Sequence, residues 1–231
     1  MKPKNLNLKT VKQLTVGITI ALIAMTLISV YNYPENLGKY GIKSFTWTIS
    51  LLMIYLIFCV RIPVISSKTN NRLAIEEGTR IGAIAGFLWV IHVSIEYFVF
   101  IPKAVNGIST LGFMGILFIV FGFSAYRTMQ KTRQTASAIL SGVWCAMFSI
   151  LVLFVYGFLL NFFFMTRLMT ILQFDEEFKM SGMGIASFTV HNTLEAGGTH
   201  LLIAPIVAIV FSLLGIAFLK IQKYLSDQRA K

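Results

Sequence analysis

Two short stretches of this chain hold the residues best suited to chemistry. Ile91-His92-Val93-Ser94-Ile95-Glu96 and Val190-His191-Asn192-Thr193-Leu194-Glu195 share one pattern: an aliphatic residue, a histidine, a spacer, a hydroxyl residue, an aliphatic residue and a glutamate. A spacing of four puts imidazole and carboxylate on one face of a helix. Together the two groups can relay protons, because histidine titrates near neutrality, or they can ligate Zn, Fe or Mn. His92 and Glu96 are the candidate proton or ion pathway; His92, Glu96, His191, Glu195 and His200 are the candidate ligands of a divalent transition metal. Upstream, Ile84-Ala85-Gly86-Phe87 is echoed by Ile185-Ala186-Ser187-Phe188. The echo fits a duplication of three membrane spans, the second copy inverted because three is odd.

The elements that must position these residues follow from composition. Of 231 residues, 56% are hydrophobic and 13% charged, against about 45–50% and 25% in a soluble domain. Mean hydropathy is +0.77. So few polar residues cannot cover a soluble surface, and the chain reads as an all-α, polytopic membrane helix bundle. A bilayer core takes about 20 apolar residues per helix. Six stretches come close to or meet this: 14–30, 45–60, 81–101, 108–126, 136–160 and 201–219, within one integral membrane domain, 1–231. Glu96 is the only Asp, Glu, Lys or Arg inside them. The first stretch follows Lys2, Lys4, Lys9 and Lys12 as a secretory signal would, but Tyr31-Asn32-Tyr33-Pro34 stands where a small-residue cleavage site is needed, so it reads as a retained anchor.

Orientation comes from the basic residues. With the N-terminus inside, fifteen of the twenty Lys and Arg are cytoplasmic, and Lys39, Lys43, Lys103, Arg167 and Lys179 are outside. Both termini are then cytoplasmic, in the cell inner (plasma) membrane. The net charge of +11 belongs to this asymmetry and to attraction for anionic lipid; no recognition module accompanies it, so nucleic acid is not expected as a partner. Glu76 and Arg80 read as an i, i+4 pair in a charge cluster where the third span leaves the cytoplasm. Cys59 and Cys145 read as buried thiols, without a disulfide.

Residues 161–200 are expected to form a long outer loop between spans five and six. Its first half extends the fifth helix or lies in the interface. Its small-residue half, 182–198, is a candidate re-entrant segment. A seventh span there would put the basic C-terminus outside and erase the charge bias.

In the third span, at roughly 100° per residue, Gly78, Gly82 and His92 fall within about 40° of Glu96, and Gly86 within about 80°. Small residues permit close helix approach, so these glycines are expected to pack helices and the ionisable pair to face the bundle. An intramembrane carboxylate is a functional candidate by default. The sequence therefore predicts a transporter-like protein or accessory membrane subunit with a titratable His/Glu site near the outer face. The alternatives are a membrane metalloenzyme on the five named ligands, or a scaffold whose Gly face contacts another subunit or a second copy. No cofactor is required by any motif.

Overall fold

The computed structural model describes residues 7–99 and 103–229, and these are helical with no strand among them. Lys2, Lys4 and Lys231, and residues 100 and 101 of the third span, lie outside the described residues. The elements are α1 (Leu8–Asn32), a 3-10 turn (Pro34–Leu37), α2 (Ile42–Val60), a short α3 (Ile62–Ile65), α4 (Thr69–Phe98), α5 (Lys103–Thr132), α6 (Thr135–Leu172), a short α7 (Glu176–Ser181) and α8 (Ile185–Arg229). Six of them are long and apolar enough to cross a bilayer: α1, α2, α4, α5, α6 and α8. At 1.5 Å per residue, the 38 residues of α6 and 45 of α8 extend about 57 and 68 Å. Both overrun a hydrocarbon core of about 30 Å.

The expected outer loop 161–200 is largely absent. Residues 161–172 continue α6, with non-helical backbone at Phe164 (φ −130°, ψ 24°). Residues 185–200 begin α8, which runs on unbroken, so 182–198 does not turn back as a re-entrant segment. What remains is 173–184. There Asp175 Oδ1 caps α7 by accepting the Glu177 N–H at 2.9 Å, and Gly182 ends it at φ +68°. The start of α8 is held from across the fold. Glu35 Oε2 accepts the Gly184 N–H at 2.7 Å, and the buried Asn36 donates to the Ser187 carbonyl at 3.2 Å.

α6 is the central helix. In its most apolar window 67% of residues are buried, against 28–33% in the other spans. It packs against α4, α5, α8 and α1, while α2 lies on α1 and α8. The α4–α6 seam is made by glycines. A Cβ on Gly78 would meet the Ser141 carbonyl oxygen at 2.6 Å, one on Gly82 the Cys145 carbonyl oxygen at 2.8 Å, and one on Gly86 the Val152 Cβ at 2.8 Å. That face is therefore filled by α6 of the same chain and offers no room to a second subunit. In α1, Thr15, Thr19 and Thr26 are buried. Each hydroxyl donates to the carbonyl four residues back, at 2.8–2.9 Å, which satisfies the oxygen and leaves the methyl group to pack.

α8 carries Pro205 inside it. Proline has no N–H, so the carbonyl of Leu201, four residues back, loses its helical donor. The Tyr55 hydroxyl of α2 donates to that carbonyl at 2.8 Å, with both residues buried. Two turns earlier in register, Thr48 donates to the Leu194 carbonyl at 2.7 Å.

The ionisable groups of α4 sit at its two ends. Glu76 and Glu77 are 6% and 4% exposed. Arg72 Nε lies 3.0 Å from Glu76; Glu77 takes Arg127 Nε at 3.3 Å and Lys131 Nζ, both from α5. The expected charge cluster thus joins two helices rather than closing on α4 alone. Glu96 stands 19 residues further on, about 28 Å along the axis, or nearly one hydrocarbon thickness.

Candidate functional site

A cavity of about 250 Å³ opens between α4, α5, α6 and α8 at the Glu96 end of the bundle. Each helix contributes according to its pattern. From α4 come Trp89, His92, Glu96 and Tyr97, one helical face at spacings of three, four and one. α8 adds Asn192, Thr193, Ala196, Gly197 and His200. The walls from α5 and α6 are mainly apolar: Met114, Ile150, Leu153, Phe154, Leu160 and Leu168, with Thr110 as the hydroxyl exception.

Contacts hold the polar wall in place. The His92 ring stacks on Phe113 at 4.3 Å with an interplanar angle of 10°. Trp89 meets His200 edge to face at 5.2 Å. The His200 Nδ1 lies 2.6 Å from the Ala196 carbonyl oxygen; donating there, it presents Nε2 as an acceptor. Beside the cavity, Asn161 Nδ2 donates to Thr193 Oγ1 at 3.0 Å, tying α6 to α8. The Ser94 hydroxyl and the Tyr156 hydroxyl are 2.6 Å apart, tying α4 to α6. Arg167 Nε donates at 3.3 Å to the carbonyl of Tyr97, one of those left open at the end of α4. Trp89 is 4% exposed, and its indole N–H has no hydrogen-bond partner among the described residues.

The five candidate ligands separate into two groups. His92, Glu96 and His200 line the cavity. His191 does not: its ring packs against Tyr40 at 5.1 Å and Phe188 at 6.0 Å, and its Nε2 lies 3.0 Å from Glu195 Oε2. Nine residues of helix separate His191 from His200, a rotation of about 180°, so the two cannot share a wall. Among the described residues no group of three or more His, Cys, Asp or Glu is placed to hold a metal ion. On the surface beside His191, the Tyr40 phenol is pushed up from its ordinary value, first by desolvation and then by the carboxylates of Glu177, Glu195 and Asp175.

The two His-x-x-x-Glu copies also differ in placement and in use. His92 lies near the C-terminal end of α4 (Thr69–Phe98), whereas His191 is in the second turn of α8 (Ile185–Arg229). An inverted three-span duplication would put both at the same point along their helices, so the echo is not a repeat of the fold. His191 and Glu195 are joined, while among the described residues no hydrogen bond joins His92 to Glu96. Cys59 and Cys145 are buried and unpaired.

Sequence reasoning missed Trp89, Tyr97, Asn192 and Thr193. The last two sit between His191 and Glu195 in the second copy; a helical reading of that segment turns them away from both and toward the cavity. Compared with family models, curated proteins and solved structures, the chain has no match.

Proposed function

We propose that this multi-pass membrane protein is transporter-like, or the ion-handling subunit of a larger membrane assembly, with Glu96 and His92 as the titratable pair of its pathway. The observation that carries the reading is the cavity itself: a carboxylate, two imidazoles, a phenol, an amide and hydroxyls converge on a half-open, largely apolar space inside a membrane bundle. The charge distribution supports an orientation with both termini cytoplasmic and the cavity toward the outer face of the plasma membrane. Lipid is the surrounding partner. The separation of His191 and Glu195 from His92, Glu96 and His200 favours this pathway over a five-ligand metal centre.

The test uses purified protein in liposomes loaded with a pH-sensitive dye. After an outside acid step, wild-type vesicles are expected to acidify faster than empty ones, and Glu96→Gln vesicles to fall back to the empty rate while the variant keeps its melting temperature. Wild-type flux equal to that of empty vesicles, or a Gln variant equal to wild type, overturns the reading.

A further inference from the structure

We propose that the cavity takes a small amphipathic ammonium compound, bound by the Glu96 carboxylate. The inference rests on the reading of Glu96 as the titratable group of the pathway. Among the described residues Glu96 is the only formally charged side chain on the cavity wall, so an anionic ligand would be repelled and a cation matched. Arg167 is engaged with the Tyr97 carbonyl and does not line the space.

Two features separate an organic ammonium from a bare metal ion. His92, Glu96 and His200 all line the space, but among the described residues no three His, Cys, Asp or Glu are placed to hold one metal ion. The cavity wall also carries the rings of Trp89, Tyr97 and Phe154, and aromatic faces attract cations that carry little hydration. The walls from α5 and α6 are mainly apolar, which suits the body of such a molecule rather than a hydrated ion. The size is also limiting: about 250 Å³ is room for roughly eight waters at ~30 Å³ each, or one organic molecule of that bulk.

Where the carboxyl is protonated, an ammonium can be held only as the proton leaves, so protons compete with the cation at Glu96. The groups that set this equilibrium are His92 and Tyr97 on α4, His200 on α8 and Arg167 on α6; no titratable side chain is described on the α5 wall. Protonation at either histidine would oppose the cation, so acid weakens binding by both routes.

Calorimetry on purified protein in detergent tests this, with benzyltrimethylammonium as the probe and benzyl alcohol and benzoate as the uncharged and anionic comparators. The cation is expected to bind at least tenfold tighter than either comparator. Glu96→Gln should weaken it at least tenfold, and binding of the cation to the wild type should weaken as the pH is lowered. Benzyl alcohol binding as tightly as the cation, an unchanged Gln variant, or no binding to protein of wild-type melting temperature overturns the proposal. Proton flux that depends on Glu96 without cation binding removes the ammonium class alone; cation binding through Glu96 without flux removes the pathway and leaves the binding site.

Discussion

Replacing Tyr55 by Phe tests how this fold tolerates a proline inside its longest helix. The variant keeps the ring and removes one donor, leaving the Leu201 carbonyl, four residues before Pro205, with no partner in a buried apolar setting. A buried polar group stripped of its partner costs about 1–3 kcal/mol. Interhelical hydrogen bonds measured within membranes average nearer 0.6 and reach about 1.7 kcal/mol. Because the carbonyl has lost its helical donor as well, the upper part of that membrane range applies, about 1.5 kcal/mol, or roughly tenfold in the unfolding equilibrium. Pro205→Ala returns an N–H to position 205, so in that background Tyr55→Phe should cost no more than about 0.5 kcal/mol. The double-mutant cycle then gives a coupling of about 1 kcal/mol. Thr48→Val supplies the control: it removes the bond to the Leu194 carbonyl, but residue 198, four further on, keeps its N–H, so the loss should be smaller and indifferent to Pro205→Ala. Reversible unfolding in mixed micelles, followed by circular dichroism, measures all of these. If Tyr55→Phe costs the same with and without the proline, within about 0.3 kcal/mol, the account of that hydroxyl is wrong.

Two further outcomes are expected from the same measurement. Glu77→Gln leaves Arg127 and Lys131 facing a neutral amide. Since those partners are 45% and 41% exposed, the cost should be about 2 kcal/mol, below the 3–5 of a fully buried pair, and a stability equal to wild type would show the bridges to be idle. Gly82→Ala should destabilise by more than 1 kcal/mol, because its Cβ would lie 2.8 Å from a backbone oxygen of α6. Gly17→Ala, with nothing within 4 Å, should instead stabilise by about 0.5–1 kcal/mol; equal effects at the two sites would refute the close α4–α6 seam.

The six spans were legible because each is a long apolar run, and composition alone decides that in a bilayer. The outer segment was not, for an identifiable reason. Residues 182–198 are rich in Gly, Ala, Ser and Thr, which resemble a loop by propensity, yet Gly197 and Gly198 are there because neighbours press on them. Reading that stretch as irregular hid the rotation between His191 and His200 and so merged two separate groups into one ligand set. Glu96 and His92 were found because a charge among apolar residues needs no tertiary information to stand out. Trp89, Tyr97 and Phe154 could not be found that way, since aromatic residues also stand at exposed positions of the spans, among them Trp47, Phe87, Phe123 and Phe218. Tyr55 and Pro205, 150 residues apart, carry no local sign of their pairing.

The paired glycines of α8 have a mechanical consequence. Gly197 lies in the cavity wall against the ring of Phe154 on α6, and Gly198, the next residue, lies against Thr48 and Trp47 on α2. At this level α8 is a bare rod clamped between two helices, with no side chain at either contact to absorb a push. A side chain added at position 197 would strike the Phe154 ring in the cavity wall, and one at position 198 would strike Thr48 of α2, so two adjacent residues of α8 set the spacing of the cavity on one side and of the α2 contact on the other.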